Sequence, residues 1–105
     1  MSAMFFVAEI SKVTVTQQNH VFKVSGQLFF ASTESFINDF KKVSVENTAI
    51  TIDFSDSPVW DDSAIGAILK VEQMLQQQGN SVTFTGMNDK GQLLLTQLTG
   101  KTVSH

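Results

Sequence analysis

The segment Ile50–Gly66 constrains the fold most, because it changes from one kind of secondary structure to another within a few residues. Apolar and polar residues alternate from Ile50 to Phe54, which predicts a strand with one buried face. The turn-forming sequence Ser-Asp-Ser-Pro follows, and a polar helix start then begins at Asp61. A strand that leads through a loop into a helix predicts an α/β fold. The backbone N–H groups of such a helix start can bind a partner or a phosphate, so we place the candidate functional region here.

Seven elements are predicted in the order β-β-α-β-α-β-α, as a single domain over residues 1–105. The predicted strands are 5–16, 21–26, 48–54 and 81–85, and the predicted helices are 33–42, 62–78 and the segment between Asn88 and Gly100. The short polar turn Gln17–His20 predicts an antiparallel hairpin, and the helix before the third strand predicts a parallel pairing. Residues 101–105 are predicted to start another strand. We therefore expect a mixed four- to five-stranded sheet with helices packed against it.

Helical spacing of apolar residues predicts which side of each helix is buried. The residues expected inside are Phe36, Ile37 and Phe40 in the first helix, and Leu94, Leu95 and Leu98 in the third. Short polar side chains at a helix start accept hydrogen bonds from its free N–H groups. The predicted caps are Ser32 or Thr33, Asp62 or Ser63, and Asn88.

Charge and hydropathy exclude two classes of protein. The net charge is −3, and all seven basic residues are scattered lysines with no arginine among them. Because arginine is the favoured side chain for phosphate and guanine contacts, nucleic-acid binding is not expected. The longest apolar runs are far shorter than the roughly 20 residues of a membrane helix, and the N-terminus lacks the basic region of a signal peptide. We expect a soluble, cytosolic chain.

Catalytic and metal sites are not indicated. The chain has no cysteine, and its two histidines, His20 and His105, have no second ligand at helical or hairpin spacing. Ser63 has no neighbouring histidine to activate it as a nucleophile. The four carboxylates between residues 53 and 62 lack the ligand periodicity of a calcium loop. We therefore expect a protein that is not an enzyme and has no metal site and no cofactor.

Three features around the helix start leave alternatives open. Trp60 either packs against Phe54 or is an exposed docking aromatic. The apolar run 28–30 either covers the core or forms an exposed patch. The polar start either only caps the helix or is also a docking corner, with Ser63 as a candidate phosphorylation site. The predicted partner-binding residues are Ser57, Trp60, Asp61, Asp62, Ser63 and Gly66.

Two segments and the order of elements resemble the STAS domain, the module shared by sulfate transporters and anti-sigma-factor antagonists. These segments are residues 53–55 (DFS) at the end of a strand and, after a loop, residues 61–66 (DDSAIG) at the start of a helix. The likeness extends from about residue 5 to residue 100, which is nearly the whole chain. The closer likeness is to the C-terminal STAS domain of bacterial SulP anion permeases, and it is carried by residues 24–32 (VSGQLFFAS) and residues 59–61 (VWD), which lead into the helix.

This resemblance implies a STAS fold and a regulatory, protein-binding role on the cytoplasmic side of a membrane-embedded transport domain. The implied partners are the transmembrane domain of the same protein or cytosolic regulatory proteins. One alternative is a free-standing antagonist-like switch, whose phosphorylated serine corresponds to Ser63, and another is a module with weak nucleotide binding. Asp62 stands where antagonists usually carry Ser or Thr, and Ala64 stands where glycine is common. Docking is therefore favoured over phosphorylation.

Overall fold

A computed structural model describes residues 12–99, which form a mixed four-stranded sheet and three helices. The elements are β1 (Thr14–Gln18), β2 (Val21–Ser25), α1 (Thr33–Lys41), β3 (Ala49–Asp56), α2 (Asp62–Gln76), β4 (Ser81–Thr85) and α3 (Asp89–Thr99). This is the predicted order, and the predicted α/β fold is confirmed. Residues 5–11 of the first predicted strand, and the strand start predicted at 101–105, lie outside the described residues.

The antiparallel hairpin of β1 and β2 is confirmed, with a tighter turn than predicted. Gln18 pairs with Val21, so the turn contains only Asn19 and His20, and the predicted turn residue Gln17 belongs to β1. Asn19 has φ +57°, a left-handed conformation that asparagine tolerates better than most residues. The local chemistry of this one residue therefore allows two strands to follow each other with almost no loop.

Strand β3 is the centre of the sheet, with parallel partners on both sides. The connection from β2 runs through α1 and the connection to β4 runs through α2, as parallel pairing requires. Phe22, Ile52 and Phe84 are neighbours across the three strands, and all three are buried. The alternation that predicted β3 is thus the alternation between a buried face and an open face of the sheet.

A series of phenyl rings joins the sheet to the first helix. Phe40 on α1 contacts Phe22 at a ring-centroid distance of 5.7 Å, and Phe36 lies 5.1 Å from Phe40. Phe36 also lies 6.1 Å from Phe54, which in turn lies 6.0 Å from Phe84. These tilted and edge-on arrangements are the favourable ones for aromatic pairs. These rings therefore hold helix α1 over β2 and β3, and Phe54 extends the same aromatic core to Phe84 of β4.

Two predictions about the helices need correction, namely the end of α2 and the burial of Leu98 in α3. Helix α2 ends at Gln76 rather than 78, and the turn after it reaches Gly79, whose φ is +86° and where a Cβ would collide with the Asn47 side chain. Leu95 is buried as predicted, but Leu98 is 55% exposed. Helical spacing shows only which residues share a face. That face is buried only where another element covers it, and no element of the described residues covers Leu98.

The aromatic core gives a direct stability test with a matched control. Phe36→Ala removes a fully buried ring and should lower the free energy of unfolding by about 3–5 kcal/mol. Phe30→Ala makes the same chemical change at a ring that is 69% exposed, and should change it by no more than about 0.5 kcal/mol. Urea unfolding measures both. Equal losses in the two variants would contradict the burial described here.

Candidate functional site

The loop that follows β3 continues the sheet by one further pairing. The N–H of Leu28 donates to the carbonyl oxygen of Pro58 at 2.8 Å, and the N–H of Trp60 donates to the carbonyl oxygen of Leu28 at 3.1 Å. Leu28 and Val59 thus form an isolated parallel bridge, and both are fully buried. The chain therefore reaches the start of α2 as a pinned, extended segment rather than as a free loop.

Asn88 holds the same segment from its other side. Its side-chain Oδ1 accepts from the N–H of Val59 at 2.9 Å, and its Nδ2 donates to the carbonyl oxygen of Val59 at 3.0 Å. Asn88 stands at the predicted cap position of α3, where its backbone carbonyl oxygen accepts from the N–H of Gln92 at 3.0 Å, while these side-chain hydrogen bonds go to Val59. An amide offers a donor and an acceptor side by side, and here the pair completes both backbone bonds of a neighbouring extended residue.

Helix α2 is capped by Asp61, whereas the sequence predicted a cap at Asp62 or Ser63. Asp61 has extended backbone angles, and its Oδ1 accepts from the N–H of Ala64 at 3.0 Å. Asp61 is the last residue with extended backbone angles, and from that position its side chain can accept a hydrogen bond from the N–H of the third helical residue. Asp62 and Ser63 follow it as the first two helical residues, and both are exposed.

The second carboxylate oxygen of Asp61 joins the helix start to a distant part of the chain. Asp61 Oδ2 accepts from the N–H of Phe30 at 3.0 Å, 31 residues away in sequence. Ser32, predicted to cap α1, stands at the cap position, but its side chain makes no capping hydrogen bond to the helix. Its hydrogen bonds lie within the turn that precedes α1 and contains Phe30. Its hydroxyl donates to the carbonyl oxygen of Gln27 at 2.7 Å and accepts from the N–H of Phe29 at 3.1 Å.

The aromatic side chains near the helix start are only partly covered. Trp60 is 46% exposed, and the ring contacts of Phe54 are with Phe36 and Phe84, so the alternative of Trp60 buried against Phe54 is wrong. The run 28–30 is divided: Leu28 is in the core, as the first alternative predicts, and Phe30 is 69% exposed, so a role of this residue in partner binding stays a prediction. Phe30 was not among the predicted site residues, because its link to Asp61 is a tertiary contact.

An open groove of about 430 Å³ lies beside the start of α2. It is lined by Trp60, Asp61, Asp62, Ser63, Lys90 and Leu94. The two other predicted site residues lie apart from it. Gly66 is exposed one turn further along α2. Ser57 is fully buried, and its hydroxyl has no hydrogen-bond partner among the described residues, so it lies beneath the surface that a partner can reach.

The carboxylates that cluster in sequence have separate tasks in the structure. Asp56 forms an ion pair with Lys23 at 3.0 Å, and Asp53 accepts from the N–H of Ser55 at 2.9 Å. The hydrogen bond and the negative charge of Asp56 raise the pKa of Lys23 above its usual value. Asp61 is occupied by two backbone N–H groups. Residues 12–99 contain no group of three side chains placed to hold a metal ion.

Sequence comparison assigns the family. The STAS domain profile matches residues 11–100, so the chain belongs to the STAS domain family. It is 34% identical over 104 residues to the putative sulfate transporter YbaR of Bacillus subtilis (strain 168). That match covers 93% of this chain but only 21% of the relative, so the chain spans about a fifth of the transporter's length. No helix in residues 12–99 combines the length and apolar character needed to cross a bilayer.

Two solved structures share the fold. The STAS-domain antisigma-factor antagonist from Rhodobacter sphaeroides superposes with a TM-score of 0.55 and 28% sequence identity, covering 70% of this chain and 84% of that one. The murine anion transporter Slc26a9, in its inward-facing state, superposes with a TM-score of 0.68, covering 91% of this chain and 20% of that one. The identity with Slc26a9 is 13%, so that likeness concerns the fold alone.

Two helical glycines on and beside the site give opposite predictions. A Cβ on Gly66 would meet nothing within 4 Å, so Gly66→Ala should raise the free energy of unfolding by up to about 1 kcal/mol. A Cβ on Gly91 would approach Met87 Cγ at 2.7 Å and Val59 Cβ at 2.9 Å, so Gly91→Ala should destabilise the fold. Thermal or urea unfolding separates the two. A clear loss of stability in Gly66→Ala would show that this glycine is needed for the fold and not for a partner.

Proposed function

We propose that this chain is the regulatory, protein-binding STAS domain of a SulP-type sulfate or anion transporter, with no enzymatic activity of its own. The observation that carries the proposal is the 34% identity to a putative sulfate transporter, which extends over 93% of this chain. Because the match is confined to 21% of that relative, it fits one domain attached to a larger protein. In such a protein the domain would lie on the cytoplasmic face of the membrane.

The proposed contact surface is the groove side of the α2 start, formed by Trp60, Asp61, Asp62 and Ser63. Gly66, exposed one turn further along α2, would extend it outside the groove. Trp60 supports this choice, because a large aromatic ring that is 46% exposed gains much from burial by a partner. Its backbone is already pinned to Leu28, so little additional ordering opposes binding. The proposed partners are the transmembrane domain of the same protein and cytosolic regulatory proteins.

Anion uptake by the full-length protein tests this proposal. Trp60→Ala should reduce uptake of radiolabelled sulfate by about threefold or more, since tryptophan is enriched among the few interface residues whose truncation to alanine costs about 2 kcal/mol or more of binding free energy. Leu93→Ala is the matched control, because Leu93 is 58% exposed but does not line the groove. Its uptake should stay at the level of the unmodified protein when both variants reach the membrane in equal amounts.

Two results would contradict the proposal. One is unchanged uptake in Trp60→Ala. The other is a native reading frame with no membrane-spanning region, which would remove the transporter role altogether. A frame of this kind would favour the second candidate function, a free-standing antagonist-like switch.

That second candidate is supported by the exposure of Ser63 and by the 28% identity to the Rhodobacter sphaeroides antagonist. Incubation with an anti-sigma kinase and ATP, followed by mass spectrometry, tests it. A phosphate on Ser63 that is missing from Ser63→Ala would support the switch. An unmodified Ser63 would exclude that kinase-driven mechanism.

A further inference from the structure

We infer that Asp61 is a two-point latch that holds the turn 28–31 against α2, and that negative charge added at Ser63 opens it. The latch consists of the Asp61 carboxylate and the N–H groups of Phe30 and Ala64, each donating to its own oxygen at 3.0 Å. The inference rests on the proposed function in treating the α2 start as a contact surface, and on the second candidate function in placing a phosphate on Ser63. The structure itself supplies the contacts.

The turn depends on Asp61 because its tip has little other support. Leu28 is buried and is pinned to residues 58 and 60, so the base of the turn is fixed. At the tip, the Phe30 side chain is 69% exposed and its ring contact is with Phe29 at 5.5 Å, within the same turn. The carbonyl of Phe30 accepts from the Thr33 hydroxyl at 3.1 Å, which is also a local bond. The bond to Asp61 is the described contact that ties Phe30 to another element.

Ser63 is placed to disturb this bond electrostatically. It is the second residue of α2, two residues after Asp61 and directly after the exposed Asp62. A phosphate would add a charge of about −1.5 to −2 and would compete for the N–H groups at the helix start. It would also repel the Asp61 carboxylate. Among the described residues, Lys90 is the single basic one that lines the groove, which the carboxylates of Asp61 and Asp62 also line.

Through the latch, a charge added at Ser63 would therefore affect Phe30 as well as the neighbouring Trp60. Trp60 and Phe30 flank the same backbone connection, since Trp60 donates to Leu28 and Phe30 donates to Asp61. Charge at Ser63 would not only block the groove but would also release Phe30 from its fixed position. A partner that contacts both aromatic side chains would then lose its contact with Phe30, although Phe30 lies away from the modified serine.

Amide hydrogen exchange, read by NMR on the whole chain, tests the latch at the donors themselves. In Asp61→Ala the N–H groups of Phe30 and Ala64 should both exchange about fivefold faster or more, as expected for the loss of one hydrogen bond each. Asp61→Asn keeps one acceptor oxygen, so only one of the two should accelerate. The N–H of Val59 is the internal control, because it donates to Asn88 at 2.9 Å and should keep its rate.

The charge step is tested by Ser63→Glu, with Ser44→Glu as the control at an exposed serine far along the chain. Phe30 and Ala64 should accelerate together in Ser63→Glu and not in Ser44→Glu. Unchanged exchange of the Phe30 N–H in Asp61→Ala would overturn the latch. Equal acceleration of the Val59 N–H in that variant would overturn it too, because Asp61 would then stabilise the whole fold rather than this turn. Unchanged exchange in Ser63→Glu would overturn the opening by charge. These readouts need no partner or membrane, so they fail or succeed independently of the uptake experiment.

Discussion

The hydrogen bonds of Val59 and its neighbours are the contacts on which the site depends. A chain that leaves the centre of a sheet still carries backbone polar groups that must find partners. Here Leu28 satisfies the groups on one side and the Asn88 side chain satisfies those on the other. These bonds fix where α2 starts, bring the beginning of α3 beside it, and place the turn 28–31 within reach of Asp61. The geometry of the candidate contact surface is thus a consequence of how one extended segment is held.

The elements of the fold follow from local sequence, whereas the contacts that build the site do not. Alternation predicted β3, the short polar turn predicted the hairpin, and the intervening helix predicted the parallel pairing. The cap of α2 was predicted one or two residues too late, because three polar residues in a row satisfy the same local rule. Asn88 and Phe30 act through partners 29 and 31 residues away, and no spacing along the chain carries that information.

The structure also changes the meaning of the acidic helix start. Asp61 is occupied by two backbone donors, which leaves Asp62 and Ser63 as the exposed polar groups beside Trp60. A helix N-terminus normally favours an added anion, but here two carboxylates precede the serine. A phosphate would therefore meet both attraction from the helix and repulsion from its neighbours. This balance favours the proposed docking role over phosphorylation, and in the proposed latch the response to charge would depend on Asp61.

Backbone ¹⁵N relaxation across residues 57–63 tests most directly whether the segment before α2 is a fixed platform. A segment pinned from both sides should have order parameters of about 0.85, equal to those of β3 in the same molecule. Order parameters below about 0.6 for these residues would show a flexible loop. That result would contradict both the preformed contact surface and the latch that depends on it.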